Sequence, residues 1–102
     1  AAEVNADADS APSVSTWQHL LRVVNNLAVM LKVSGRAEDA EALQRWELGA
    51  CEARLGLEHP ETLTSVANLA LLMDSLGHLD EAEALHRRAV AGREARVRAH
   101  TS

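Results

Sequence analysis

The side chains that could do chemistry in this chain are one cysteine, five histidines and 15 aspartates and glutamates. Cys51 is the only cysteine, so neither an intrachain disulfide nor a multi-cysteine metal site can form. His78 and His86 are too far apart round a helix to share a metal ion. The sequence has no glycine-rich phosphate loop, nucleophile elbow or paired-carboxylate signature. It therefore predicts a protein that is not an enzyme and that holds no metal or cofactor.

Cys51 and His59 are predicted to have structural roles. Glu52 follows Cys51 directly, and a nearby carboxylate raises the pKa of a thiol and so disfavours the reactive thiolate. His59 stands before Pro60, a residue that suits the first position of a helix because its missing N–H would have no partner there. We therefore expect His59 to serve the turn that precedes this helix.

Length and composition favour one small helical domain. The chain has 102 residues, of which 47% are hydrophobic and 2% aromatic, and these values suit a single folded globule. Because Phe and Tyr are absent, the core has to consist of Leu, Val and Ala. Small side chains let elements approach closely, which favours helices packed against helices.

The charge balance argues against nucleic acid as a partner. The net charge is −5, and an acidic chain is repelled by phosphates. Five arginines nevertheless cluster in 87–98, with Glu94 as the only acid there. We interpret this cluster as a solvated helix face; an acidic partner or a nucleic acid is the alternative for that segment. The arginines are Arg87, Arg88, Arg93, Arg96 and Arg98.

The first residues, the lengths of the apolar runs and the single cysteine indicate where in the cell the protein is located. Residues 1–14 are small and acidic and include one proline, so we expect a flexible leader ahead of a helical domain over 15–102. No apolar run approaches the roughly 18 residues that a membrane span needs. A single cysteine is compatible with a reducing compartment. The sequence therefore predicts a cytoplasmic protein with no membrane partner.

An internal repeat with an offset of 42 residues dominates the rest of the sequence. One offset that holds across many blocks indicates two copies of one structural unit, repeat one at about 17–58 and repeat two at about 59–100. The matched pairs are Asn26-Leu27-Ala28 with Asn68-Leu69-Ala70, Gly35 with Gly77, Ala40-Glu41-Ala42-Leu43 with Ala82-Glu83-Ala84-Leu85, Arg45 with Arg87, and Glu52-Ala53-Arg54 with Glu94-Ala95-Arg96.

Each unit predicts two helices separated by a glycine turn. The fold class is therefore all-α: two stacked antiparallel hairpins, with helices at 15–34, 37–55, 60–76 and 79–99. Ser15 and Gln18 fit a capping box at the first helix start. Apolar residues three and four apart predict the buried stripes. These stripes are Leu20, Val24, Leu27, Ala28 and Leu31; Ala40, Leu43, Ala50 and Ala53; Val66, Leu69, Ala70 and Met73; and Ala82, Leu85 and Ala89, flanked by Val90.

These residues resemble the tetratricopeptide repeat, in the 42-residue form found in kinesin light chains. The likeness covers about residues 17–98 and implies an α-solenoid fragment that acts as a protein–protein interaction scaffold. It is carried by Asn68-Leu69-Ala70, Gly77, Glu81-Ala82-Glu83-Ala84-Leu85, Arg87 and Glu94 in unit two, by their counterparts in unit one, and by Leu55-Gly56-Leu57-Glu58-His59-Pro60 between the units.

The resemblance also implies a concave groove, lined by the first helix of each pair, in which a peptide segment of a partner docks. Asn26 and Asn68 are expected to bond either the peptide backbone or a neighbouring helix, and both alternatives stay open at this point. The peptide-binding positions carried over are Arg22, Asn25, Asn26, Val29 and Val33 from unit one, and Thr64, Asn68, Leu71 and Ser75 from unit two.

Three residues depart from the family pattern in unit one. Glu47 stands where the family usually has a small residue, Gln44 where it usually has an aromatic one, and Trp46 where it usually has a basic one. A carboxylate at a close-packed position is costly unless it is paired or exposed. We therefore expect the second helix of unit one to be rotated or displaced. Trp46 then either fills the core or faces outward as an interface residue.

Self-association is the alternative function. Repeat arrays usually need about three units with caps, and this chain contains two. A second copy could cover the open apolar ends and give a homodimer, with Trp46 and Val90 as the candidate contact residues.

Overall fold

The fold consists of four α-helices. A computed structural model describes the backbone of residues 14–101 and the side chains of residues 16–100. The helices are α1 (Val14–Val33), α2 (Ala37–Leu55), α3 (Pro60–Leu76) and α4 (Leu79–Thr101), and the described residues include no strand. The predicted all-α fold is confirmed, and every helix begins and ends within two residues of its predicted position.

The start of α1 differs from the prediction by one residue. The helix begins at Val14, so Ser15 is already a helical residue. The predicted capping box stays a prediction, because the side chain of Ser15 lies outside the described side chains. The remainder of the predicted leader, 1–13, lies outside the described residues.

The turns within the two hairpins have the same construction. Gly35 and Gly77 take φ values of +83° and +82°, the left-handed conformation in which a glycine meets no steric penalty. After each of them, a backbone N–H reaches back five residues, from Arg36 to Leu31 and from His78 to Met73. This bond is the mark of a Schellman motif, and it closes both first helices as the repeat predicts.

The loop between the hairpins ends at His59, which caps the start of α3. Its Nδ1 accepts a hydrogen bond of 3.1 Å from the backbone N–H of Glu61, and Pro60 occupies the first position of α3. The predicted role of His59 in the turn is confirmed, because its imidazole satisfies an N–H that the helix itself leaves open.

The helices pack in chain order, α1 on α2, α2 on α3 and α3 on α4. Alanines from all four helices allow the backbones to approach, and leucines with Met73 fill the space between them. Complete burial of each large side chain contributes about 1.5–3 kcal/mol. The core residues are Ala28, Ala40, Leu48, Val66, Leu69, Leu72, Met73, Ala82 and Ala89.

α3 buries two rows of side chains. One row, Leu63, Val66, Ala70 and Met73, includes the residue that meets α4 at Gly92. The other row, Thr62, Ser65, Leu69 and Leu72, includes the residue that bonds to Glu47 of α2. α3 therefore uses one row toward its own hairpin partner and the other toward the preceding hairpin.

α1 buries only the first of these rows. The counterparts of the first row, Leu21, Val24 and Ala28, are buried, and Leu31 is half-buried. The counterparts of the second row, Leu20, Val23, Leu27 and Met30, are exposed. The predicted burial of Leu20 and Leu27 is thus wrong. The reason is that no helix of the described part of the chain precedes α1.

α2 is packed on both sides, so its buried face is wider than the predicted stripe. Ala40 is buried as predicted, whereas Ala53 is exposed. The buried face takes in Gln44, Glu47, Leu48 and Cys51 instead. Two polar residues therefore lie between α2 and its neighbours.

Ion pairs link the two hairpins across α2 and α4. Arg45 bonds to Glu41 at 2.8 Å and to Glu81 of α4 at 2.6 Å, and both bonds raise the pKa of its guanidinium. Arg88 of α4 pairs with Glu52 of α2. Within single helices, Glu41 pairs with Arg45 and Glu83 with Arg87, each four residues apart. Because these side chains are exposed or half-exposed, each pair contributes only about 0–1 kcal/mol.

Candidate functional site

A groove runs between α1 and α3, and α2 forms its floor. The Cα atoms of α1 and α3 do not come within 8 Å of each other in the described residues, which leaves space between the helices. The upper compartment has a volume of about 490 Å³ and the lower one about 150 Å³. The upper is lined by Gln18, Leu21, Arg22, Asn25, Glu47, Cys51, Pro60, Glu61, Thr64, Ser65 and Asn68; the lower by Asn25, Ala28, Val29, Lys32, Gln44, Asn68, Leu71 and Leu72.

Two asparagines cross the groove and belong to both compartments. Asn68 Nδ2 donates a hydrogen bond of 3.2 Å to Asn25 Oδ1. An asparagine amide can donate two hydrogen bonds and accept two, so each side chain retains capacity for a ligand. The bond also fixes the rotamers of both residues at the middle of the groove.

A buried carboxylate forms part of the upper floor. Glu47 is only 4% exposed, and its Oε1 accepts a hydrogen bond of 3.2 Å from Ser65 Oγ. Burial raises the pKa of Glu47, and the negative charge of Glu61 raises it further, while the bond from Ser65 opposes both. A negative charge on Glu47 therefore costs more in the folded protein than in water.

Cys51 lies beside Glu47 on the same floor. The thiol is buried and free. Burial raises its pKa to about 11, and the charges of Glu47, Glu61 and Glu52 act in the same direction. At neutral pH the thiol stays protonated and is a poor nucleophile. The predicted direction of this shift is confirmed.

The lower floor holds an acceptor without a partner. Gln44 is 5% exposed, and its Oε1 is buried with no hydrogen-bond partner in the described structure. A buried acceptor without a bond costs about 1–3 kcal/mol. A ligand or water molecule that donates to this oxygen would recover that energy.

Most of the predicted binding positions lie in the groove, and three do not. Arg22 and Thr64 line the upper compartment, Val29 and Leu71 the lower, and Asn25 and Asn68 line both. Asn26, Val33 and Ser75 are exposed but line neither. Ser75 Oγ donates to the carbonyl oxygen of Leu71 in its own helix.

Asn26 points away from the groove because of the repeat itself. Residues related by the 42-residue offset face the same direction from their own hairpins. Since Asn68 reaches back toward α1, its counterpart Asn26 faces away from α3. The neighbouring Asn25 takes the position opposite Asn68.

Sequence reasoning missed eleven of the residues that line the groove, among them Lys32, Gln44, Glu47, Glu61 and Ser65. The departure of Glu47 from the family pattern was one available signal, since a carboxylate at a packed position needs a reason to be there. Gln44 gave a similar signal, because it stands where the family usually has an aromatic residue, and Lys32 gave none.

The two predicted self-association residues both lie on the surface. The side chain of Trp46 is 51% exposed, and Val90 is exposed on α4. The alternative in which a rotated α2 lets Trp46 fill the core is therefore wrong. The other tryptophan, Trp17, is half-buried with the guanidinium of Arg54 at 4.8 Å from its ring centre.

The described residues contain neither a membrane-spanning helix nor a cluster of metal ligands. Among residues 14–101, no helix is long and apolar enough to cross a membrane. Within the same described part of the chain, no three His, Cys, Asp or Glu side chains are grouped to hold a metal ion.

Comparison with known families identifies the class of protein. The family model described as tetratricopeptide repeat matches residues 19–95, which cover most of both hairpins and every groove-lining residue except Gln18. The chain belongs to the tetratricopeptide repeat family. Such repeats generally mediate protein–protein interaction and are typically non-enzymatic scaffolds. The comparison with curated proteins gave no match, and the finer likeness to kinesin light chains stays a prediction.

Proposed function

We propose that this protein is a non-enzymatic module that binds a peptide segment of a partner protein in the groove between α1 and α3. The main support is the pair Asn25 and Asn68, whose amides meet across the groove at 3.2 Å and keep free bonding capacity. A peptide backbone presents alternating N–H and C=O groups that such amides can bond.

The surroundings of the asparagine pair suit an extended or helical peptide. Val29 and Leu71 provide exposed apolar surface beside it. The unpartnered Oε1 of Gln44 supplies an acceptor beneath it. The net charge of −5 and the absence of a basic groove support a protein partner rather than nucleic acid. A free cysteine suits a reducing compartment, which supports the cytoplasmic location that we propose.

The test is a peptide selection followed by two asparagine substitutions. Peptides displayed on phage are selected on the chain, and the best are synthesised for titration by fluorescence anisotropy. Asn68→Ala removes a groove amide and should weaken binding by about fivefold or more, because one hydrogen bond contributes about 1 kcal/mol. Asn26→Ala removes the same side chain from outside the groove and should change nothing. Equal affinity for both variants would contradict the groove.

A second function, self-association, is favoured by the outer row of α1. Leu20, Val23, Leu27 and Met30 are exposed, whereas their counterparts in α3 are buried against α2. In the second unit the equivalent row packs against another helix, and a second copy of the chain could supply such a helix to α1. A contiguous apolar row of this kind marks a contact surface in soluble proteins.

Light scattering during size-exclusion chromatography tests self-association. We expect a dimer at micromolar concentration that Leu27→Lys converts to a monomer. Trp46→Ala and Val90→Lys, tested separately, report on the two contact residues that the sequence suggested. A chain that is monomeric at every concentration would exclude this function and leave peptide binding untouched.

A further inference from the structure

We propose that the upper compartment of the groove accepts a cationic side chain, an arginine or lysine of the bound polypeptide, whose charge lies against Glu47 and Glu61. This inference rests on the proposed peptide-binding function and adds to it the chemistry of the anchoring residue. It concerns the carboxylates Glu47 and Glu61, which line the upper compartment beside the asparagine pair.

The first support is a buried carboxylate that lacks a counter-charge. Glu47 is almost completely buried, and its recorded bond is to a neutral hydroxyl, Ser65 Oγ. In residues 16–100, the ion pairs join other acids to their neighbours, and no cation lies within 4 Å of Glu47 or Glu61. Buried charges are ordinarily paired, so a carboxylate held in this way is one partner of an incomplete pair.

The second support is the shape and composition of the space beside it. The upper compartment, of about 490 Å³, is lined by Glu47 and Glu61 together with polar side chains from α1 and α3. Glu61 is close enough to raise the pKa of both Glu47 and Cys51. Two carboxylates that line the same open compartment attract a cation to it.

The third support is the adjoining acceptor. Gln44 lies one helical turn before Glu47 on α2, and its Oε1 is buried without a partner. The lower compartment, which it lines, shares Asn25 and Asn68 with the upper one. The floor of the groove thus presents acceptors along its length, and this pattern matches a ligand rich in N–H donors.

Arginine fits the upper compartment better than lysine. Its guanidinium is more weakly hydrated than an ammonium group and carries five donors in a planar fork. Such a fork can bond a carboxylate and leave N–H groups for Ser65 or Thr64. Arg22, the one cation that lines the compartment, is exposed and competes with the incoming side chain for the same carboxylates.

The test uses Nα-acetylarginine amide and its neutral isostere Nα-acetylcitrulline amide as probes, titrated into the isotopically labelled protein and followed by NMR. The arginine probe should shift the amide signals of Cys51 and Ser65 with a dissociation constant on the order of 1 mM, as expected for a ligand of this size. The citrulline probe should bind at least about tenfold more weakly, because its ureido group is uncharged and has a carbonyl oxygen in place of one NH2 donor.

Four variants show which residues are responsible for the binding of the arginine probe. Glu47→Gln keeps the shape and should reduce the affinity for the arginine probe to that for the citrulline probe. Glu61→Gln should weaken the arginine probe by a smaller factor. Glu83→Gln, an exposed acid on α4, is the matched control and should leave both titrations unchanged, while Arg22→Gln should leave arginine binding equal or tighter.

The results that would overturn the cationic anchor differ from those that would overturn peptide binding. Equal affinity for the two probes, shifts that map to α4, or arginine affinity unchanged in Glu47→Gln would overturn the cationic anchor. Selected peptides that require Asn68 but carry no fixed arginine or lysine would do the same and would leave the proposed function standing. Peptides that ignore Asn68 while the arginine probe still binds at Glu47 would overturn the proposed function alone.

Discussion

Ser65 of α3 donates a hydrogen bond of 3.2 Å to the buried carboxylate of Glu47 in α2. This contact joins the two hairpins at the position where unit two has Ala89, a small residue packed in the core. Both residues are polar where the other unit has an apolar residue: Ser65 stands where α1 has Val23, and Glu47 stands where α4 has Ala89. The contact between the two repeats is therefore polar at this position.

The first prediction concerns Glu47 and the pH dependence of stability. Burial raises the pKa of Glu47 above its ordinary value of 4.5, so the folded protein holds this proton more tightly than the unfolded chain does. The contribution of Glu47 to the free energy of unfolding is therefore greatest below pH 4.5 and is lost as the pH rises through the folded pKa. Glu47→Gln should stabilise the protein by about 1 kcal/mol at neutral pH.

Urea unfolding at about pH 4 and about pH 7 measures this effect. The advantage of Glu47→Gln should shrink toward zero at the lower pH, where Glu47 is protonated in both states. Glu83→Gln serves as the control because Glu83 is exposed. An advantage of the same size at both pH values would show that it does not arise from the charge of Glu47.

The second prediction concerns the donor of the same bond. Ser65→Ala should destabilise the protein by about 1–3 kcal/mol, because it leaves a buried carboxylate without its hydroxyl. Ser75→Ala is the matched control: its exposed hydroxyl bonds only to Leu71 of its own helix, and we expect a change within about 0.5 kcal/mol. In the Glu47→Gln background the cost of Ser65→Ala should fall, which a double-mutant cycle would measure.

The third prediction uses two helical glycines in contrasting surroundings. A Cβ built on Gly92 would lie 2.5 Å from Leu63 Cδ2, whereas one built on Gly49 meets nothing within 4 Å. Gly49→Ala should stabilise the fold by about 0.5–1 kcal/mol through helix propensity alone. Gly92→Ala should destabilise it, since the overlap with Leu63 costs about 1–3 kcal/mol and outweighs that gain.

Thermal unfolding followed by circular dichroism compares the two glycine variants. The midpoint should rise for Gly49→Ala and fall for Gly92→Ala. If both variants are stabilised, α3 and α4 tolerate a wider spacing than the structure records. The double variant Gly92→Ala, Leu63→Ala removes the overlapping side chain and should show that the penalty of the first substitution depends on Leu63.

The hairpins could be predicted from the sequence because the signals for them are local. A glycine that closes a helix, a histidine that caps the next one and apolar residues at helical spacing all act within one or two turns. Gly77 and His59 adopt the predicted roles for this reason. The order of packing then follows from the 42-residue repeat.

The groove was predicted less well because its lining depends on which faces of different helices meet. Asn26 and Asn25 are adjacent in sequence, yet only Asn25 reaches Asn68, since equivalent residues of stacked units face the same way. The exposure of Leu27 has a similar origin: its counterpart Leu69 is buried only because a hairpin precedes α3. Neither fact is encoded within a single helix.

The fourth prediction concerns the reactivity of Cys51. Its pKa of about 11, against an ordinary 9.0, leaves about a hundredfold less thiolate at about pH 8 than an exposed cysteine has, and the thiolate is the reactive form. Cys51 should therefore react with iodoacetamide at least about a hundredfold more slowly in the native protein than in urea. Glu47→Gln removes one of the charges that raise this pKa and should speed native labelling without changing the rate in urea. A native thiol that reacts as fast as glutathione would contradict both the burial of Cys51 and the acidic floor on which it lies.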